Sequence, residues 1–135
     1  MRIMKKLVAA GQTMGIAIGA LALTAVASAG EWKSFDDSQF AKAQNEGKTV
    51  VVAFHSASCT TCKKQGPIIE GLLKENTFGD VVGFHVDYDN AKELVAKFNV
   101  RKPSTLVVFK DKSEIARTMG TSDRNEIKNL IAKGI

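Results

Sequence analysis

The segment TVVVAFHSASCTTCKKQGPIIEGLL, residues 49–73, constrains the fold more than any other part of the chain. Its first half is a continuous apolar run, rich in β-branched residues, from Thr49 to Ser56. Such a run predicts a strand buried on both faces, which requires a layer of structure on each side of its sheet. The chain's two cysteines, Cys59 and Cys62, follow at once, and then a stretch of helical period that carries Pro67 within it. A proline there removes a backbone donor and predicts a kink. Strand, cysteine pair and helix therefore form one unit.

Only one pairing, Cys59–Cys62, is open to the two thiols, and it encloses two residues. A loop that short removes little entropy from the unfolded chain, so it makes a poor staple. Reactivity is the better reading. Cys59 falls at the start of the helix, where free backbone N–H groups and the positive end of the helix dipole stabilise a thiolate. That makes Cys59 the nucleophile of the pair. Cys62 lies in the first turn on the same side, placed to attack a mixed disulfide formed at Cys59. Lys63 and Lys64 add positive charge nearby, although exposed helix faces commonly carry lysines.

The N-terminus indicates where these thiols work. Arg2, Lys5 and Lys6 precede an uncharged stretch from Leu7 to Ala29, densest in apolar residues between Ile16 and Val26 and closed by Ala27-Ser28-Ala29. That order predicts a secretory leader over residues 1–29, cleaved between Ala29 and Gly30, and a periplasmic or secreted protein. The alternative is an uncleaved membrane anchor, since the stretch is just long enough to span a bilayer. Outside the cytosol disulfides persist, which suits a redox role. Residues 30–135 form one domain. They hold 16 basic and 14 acidic side chains, a balance of +2 against +5 for the whole chain. The basic pI therefore belongs largely to the leader and gives no ground for a nucleic-acid partner.

The remaining elements read as helix, strand, helix, strand, helix, hairpin, helix, with a short strand around Trp32–Phe35 before them. Asp36, Asp37 or Ser38 caps the first helix and Gly47 ends it; Asp89 or Asn90 caps the helix in NAKELVAKFN; Ser122 or Asp123 caps the last. Strands separated by helices predict an α/β domain with a central mixed β-sheet of four to five strands, flanked by helices on both faces.

The strand, CxxC and proline-bearing helix, with Pro67 five residues after Cys62, resemble the active site of the thioredoxin superfamily. FNVRKPSTLVVFKDKSEIARTMG resembles the part of that family that carries a cis-proline and a glycine-terminated hairpin, here Pro103 and Gly120. The resemblance covers essentially all of residues 30–135. It implies a thioredoxin-like fold and a thiol-disulfide oxidoreductase, with Cys59 and Cys62 catalytic and no cofactor. It also implies a cis Lys102–Pro103 bond facing the cysteines, with Lys102, Pro103 and Ser104 in contact with substrate. The expected partners are protein thiols and disulfides and a redox partner, a membrane reductase or an oxidase. The domain is expected to be a monomer, in contact with a membrane only if the leader stays on. Several positions depart from the family. Ala53 stands where many members have a buried aspartate, Ser58 and His55 where tryptophans are frequent, and Lys102 where a β-branched residue is usual. Thr60 and Thr61 form the inner pair, neither Gly-Pro nor Pro-His. These departures predict a reducing or isomerase-linked role over a strong oxidant, with Thr60, Thr61 and His55 modulating the thiols.

Three other readings compete. His55, Cys59, Cys62 and His85 have the ligand types of a Cys2His2 zinc site or a copper(I) site, but their spacing matches no common structural motif and the expectation is no metal. His55 either influences thiol protonation or fills space in the core. The fold also serves as a binding or assembly module without turnover, a reading that two retained cysteines disfavour. The seven phenylalanines are spread among the elements as core residues.

Overall fold

A computed structural model describes Gly15, Gly19 and residues 29–135; the expected leader otherwise lies outside the described residues. Five strands, β1 (Glu31–Ser34), β2 (Val50–His55), β3 (Val82–Asp87), β4 (Thr105–Lys110) and β5 (Ser113–Met119), form one sheet in the order β1-β3-β2-β4-β5. The β1–β3 and β3–β2 pairs are parallel, and β2–β4 and β4–β5 antiparallel. Four helices, α1 (Asp37–Asn45), α2 (Thr60–Leu73), α3 (Lys92–Lys97) and α4 (Arg124–Ala132), and a single 3-10 turn at Asn76–Phe78 complete the domain. The expected mixed sheet is present, with β1 as its short fifth strand. Among the described residues no helix is long and apolar enough to cross a membrane.

The alternation of side chains along β2 builds two cores from one strand. Val50, Val52 and Phe54 join Phe84, Val86, Val107 and Phe109 beneath Phe40 of α1 and the partly buried Leu94 and Val95 of α3. Val51 and Ala53 join Leu106 and Val108 beneath Ile69, Leu72 and Leu73 of α2 and Ile127, Leu130 and Ile131 of α4. Burial of β2 from Val50 to Phe54 therefore comes from helices on both faces, as the apolar run requires. Asp36 caps α1 by accepting from Gln39 N–H (2.9 Å), and Gly47, at φ +71°, carries the chain out of it. Asp123 caps α4 through Glu126 N–H (2.9 Å). Asp111 and Lys112 turn the β4–β5 hairpin in left-handed conformations.

Two local expectations are corrected. Neither Asp89 nor Asn90 caps α3, which starts after Ala91 without a side-chain cap. Asp89 is drawn to Ser56 (2.6 Å) and Asn90 donates to Asp87 (2.6 Å), so both side chains are already engaged. The Lys102–Pro103 bond is trans, since no peptide bond among the described residues is cis. The chain reverses one residue later, where Ser104 takes a left-handed conformation at φ +62°. Thr105 Oγ1 closes that turn by donating to the Lys102 carbonyl (2.8 Å). A trans bond is the intrinsic preference of an X–Pro peptide, and the left-handed Ser104 makes the reversal without a cis one.

Candidate active site

Cys59 and Cys62 form a disulfide with Cα atoms 5.2 Å apart. Cys59 is the N-cap residue of α2, and its Sγ accepts from Cys62 N–H (3.1 Å). In the reduced protein the same N–H and the positive end of α2 face a Cys59 thiolate, which favours its formation. The two sulfurs differ in access: Cys59 is half-buried, whereas Cys62 is 6% exposed. An incoming disulfide therefore meets Cys59 first, and Cys62 attacks from inside.

The loop before Cys59 is held from below. Buried Ser56 donates to Asp89 (2.6 Å), its Oγ lies 3.1 Å from Ser58 Oγ, and Cys59 N–H donates to the Ser56 carbonyl (3.1 Å). Asp89 thus anchors the cysteine loop, a role that only its distant contact with Ser56 reveals.

The Pro103 loop is brought to the dithiol through the Phe54 carbonyl. Cys62 Sγ lies 3.8 Å from that oxygen, and Ser104 N–H donates to it (2.8 Å). Lys102 is exposed and Pro103 half-buried. Ser104 is buried, and both its peptide groups are used inside the protein, its carbonyl accepting from Gly120 N–H (3.2 Å) and Gln65 Nε2 (3.1 Å). Sequence reasoning missed Gln65. It is 2% exposed and donates also to the Thr121 carbonyl (2.6 Å), tying α2 to the Pro103 loop and to the segment after β5. A polar residue on an amphipathic helix reads as surface, and nothing local marks it as buried.

Of the modulating positions, Thr60 is exposed and Thr61 half-buried. His55 and His85 come together with a ring separation of 5.6 Å, and Trp32 packs on His85 at 5.3 Å. All three line a cavity of about 340 Å³ together with Ala53, Cys62 and Pro67. His55 Nδ1 is buried without a hydrogen-bond partner. Burial, reinforced by His55, holds the His85 imidazole below its ordinary value. Among the described residues no group of three or more His, Cys, Asp or Glu side chains is arranged to hold a metal ion.

A disulfide that caps a helix, with one sulfur accessible and the other buried against an adjoining loop, defines a thiol-disulfide oxidoreductase. The chain belongs to the thioredoxin family, which it matches as "Thioredoxin" over residues 31–133. It is 30% identical over 99 residues to Thioredoxin H-type of Oryza sativa subsp. indica, covering 73% of this chain and 79% of that protein. It is 32% identical over 84 residues to a thioredoxin of Mycoplasmoides gallisepticum, covering 62% of this chain and 82% of the relative. Among solved structures, Trxlp from Edwardsiella tarda EIB202 is similar with a TM-score of 0.72 at 25% identity, over 75% of this chain and 98% of that one. The oxidised thioredoxin from Plasmodium falciparum is similar with a TM-score of 0.63 at 27% identity, over 76% and 96%.

Proposed function

We propose that this thiol-disulfide oxidoreductase is exported and acts on exported proteins as a reductase or in disulfide isomerisation. The observation that carries this reading is the sparse stabilisation of the Cys59 sulfur. Among the described residues its hydrogen-bond donor is one backbone N–H, and the residues between the cysteines are the uncharged Thr60 and Thr61. A strong oxidant owes its potential to a heavily stabilised reduced form, which this arrangement does not supply. The pair is expected to have a potential near the reducing end of the family and to be mostly reduced in cells, kept so by a redox partner. Measuring the potential together with the in vivo redox state tests this; a potential near the strongly oxidising value of about −120 mV would sink it.

Export rests on the leader pattern of residues 1–29. Gly30 N–H donates to the Leu73 carbonyl (2.7 Å), so the proposed mature chain is engaged with the fold from its first residue. Amino-terminal sequencing of protein from the exported fraction is expected to begin at Gly30. A full-length protein retained in membranes would favour the anchored alternative. Lys102 and Pro103 lie on the loop that Ser104 ties to the Phe54 carbonyl, and they are the proposed substrate contacts, with buried Ser104 as their anchor.

A further inference from the structure

We propose that His85 accepts the proton of Cys62 when that thiol resolves the mixed disulfide, with His55, packed against its ring, as the residue that positions it. The inference rests on the oxidoreductase reading and names a residue for its second step. Parallel pairing of β2 with β3 sets His85 directly beside Ala53, and both side chains point toward α2. Position 53 therefore supplies a methyl group where a base would be useful, and the neighbouring strand supplies an imidazole. His85 and Cys62 line the same cavity, whose volume of about 340 Å³ leaves room for solvent to relay a proton between them.

The surroundings select His85 over His55. His55 Nδ1 is buried with no hydrogen-bond partner, so no group is in place to pass a proton to that nitrogen. His85 has the open cavity on one side and the Trp32 ring on the other. The groups that face the cavity are few. β2 contributes His55, β3 contributes His85, and α2 contributes Cys62 and the exposed Lys63, while Trp32 of β1 brings no charge. Asp87 is the registered partner of His55 and is exposed, with its carboxylate held low chiefly by the hydrogen bond from Asn90. No carboxylate lines the cavity, which leaves an imidazole as its proton acceptor. Burial is the chief cause that holds the His85 imidazole below its ordinary value.

In the step itself, Cys59 is joined to a substrate sulfur and Cys62 is a thiol. The Cys62 proton passes to His85, and the thiolate attacks Cys59 Sγ. A Cys59–Cys62 bond forms and the bond from Cys59 to substrate breaks. The substrate sulfur leaves with the electron pair and takes a proton from the His85 imidazolium or from solvent. The substrate disulfide gains the two electrons that the dithiol loses.

The test is single-turnover kinetics of the reduced protein with a peptide disulfide across pH 5–9. Attack by Cys59 is isolated in a Cys62→Ser variant, and resolution is followed by thiol release. His85→Gln is expected to slow resolution roughly tenfold to a hundredfold at pH 7, the low end of general-base effects, and to remove the imidazole limb of its pH profile. Attack by Cys59 should stay unchanged. Ala53→Asp added to His85→Gln should restore resolution by returning a base to the cavity. In the wild-type protein, free of any folding defect, the His85 C2 proton should titrate at different pH in the reduced and oxidised states. Identical His85 titration in both states, or a resolution profile that His85→Gln leaves unaltered, overturns the inference while the oxidoreductase reading stands. Absence of any exchange in the wild type overturns both.

Discussion

Replacing Gln65 with leucine should weaken the fold and loosen the Pro103 loop together. Leucine keeps the bulk of a side chain that is 2% exposed and removes its two donors, the 3.1 Å bond to the Ser104 carbonyl and the 2.6 Å bond to the Thr121 carbonyl. The two acceptors fare differently. Ser104 O keeps its bond from Gly120 N–H, whereas Thr121 O has no second donor among the described residues. A hydrogen bond contributes a net ~1 kcal/mol, and leaving a buried acceptor unsatisfied costs about 1–3 kcal/mol. Thr121 is half-buried, so its carbonyl can partly turn to water, and the net loss should be about 2 kcal/mol. For a domain of this size that corresponds to a fall in Tm of roughly 9 °C. Urea unfolding, followed through the single tryptophan Trp32, gives the free energy directly. Exchange should separate by substrate. Reaction of Cys59 with a small aromatic disulfide should be preserved, while reduction of a folded protein substrate should slow if, as proposed, it contacts the Pro103 loop. A stability change within about 0.5 kcal/mol, the range of ordinary surface substitutions, would refute the claim that Gln65 ties these segments together.

The other expectations rest on separate parts of the structure. A Cβ at Gly30 would lie 2.8 Å from the Phe78 and Val81 carbonyls and 2.9 Å from that of Leu73, all backbone atoms, so Gly30→Ala should destabilise by about 1–2 kcal/mol by overpacking. Gly71→Ala, in open space on α2, should stabilise by ~0.5–1 kcal/mol, and the pair of thermal melts checks both signs. Because His85 has a lowered folded-state value, the unfolded chain binds its proton first. That contribution to stability is present above the ordinary histidine value of about 6.5 and is lost as pH falls through it, so urea midpoints should drop between pH 7 and pH 5, less steeply in His85→Gln. Cys59→Ser should abolish insulin reduction, whereas Cys62→Ser should accumulate a covalent substrate adduct at Cys59, visible by mass spectrometry.

What could be read from the residues divides along a physical line. The strands β2, β3 and β4 were legible because strands buried on both faces need unbroken apolar runs, and α1 and α4 because a cap and a period declare them. These are local signals. Asp89 was read as a helix cap because its neighbours in the chain suggest one, yet its carboxylate is taken by Ser56, 33 residues away. Gln65 carries no local signal of burial, because its burial arises only when the Pro103 loop and Thr121 close over it. Pro103 carried the expectation of a cis bond through resemblance alone, and the left-handed Ser104 makes the reversal in its place.

The same distinction explains why the resolving step was harder to read than the nucleophile. Cys59 owes its reactivity to a helix start, a feature written in consecutive residues. The cavity behind Cys62 is assembled from β1, β2, β3 and α2, and its composition depends on register. From the chain alone, Ala53 is a missing base and His85 a histidine in an apolar strand, weighed only as a metal ligand. Parallel pairing makes them neighbours on one face, so the loss at one position and the imidazole at the other become one arrangement. A shift of a single residue in the β2–β3 register would turn His85 to the other face of the sheet, away from Cys62. Resolution of the mixed disulfide is thus tied to strand pairing, and substitutions that loosen β3 should slow that step before they affect attack by Cys59.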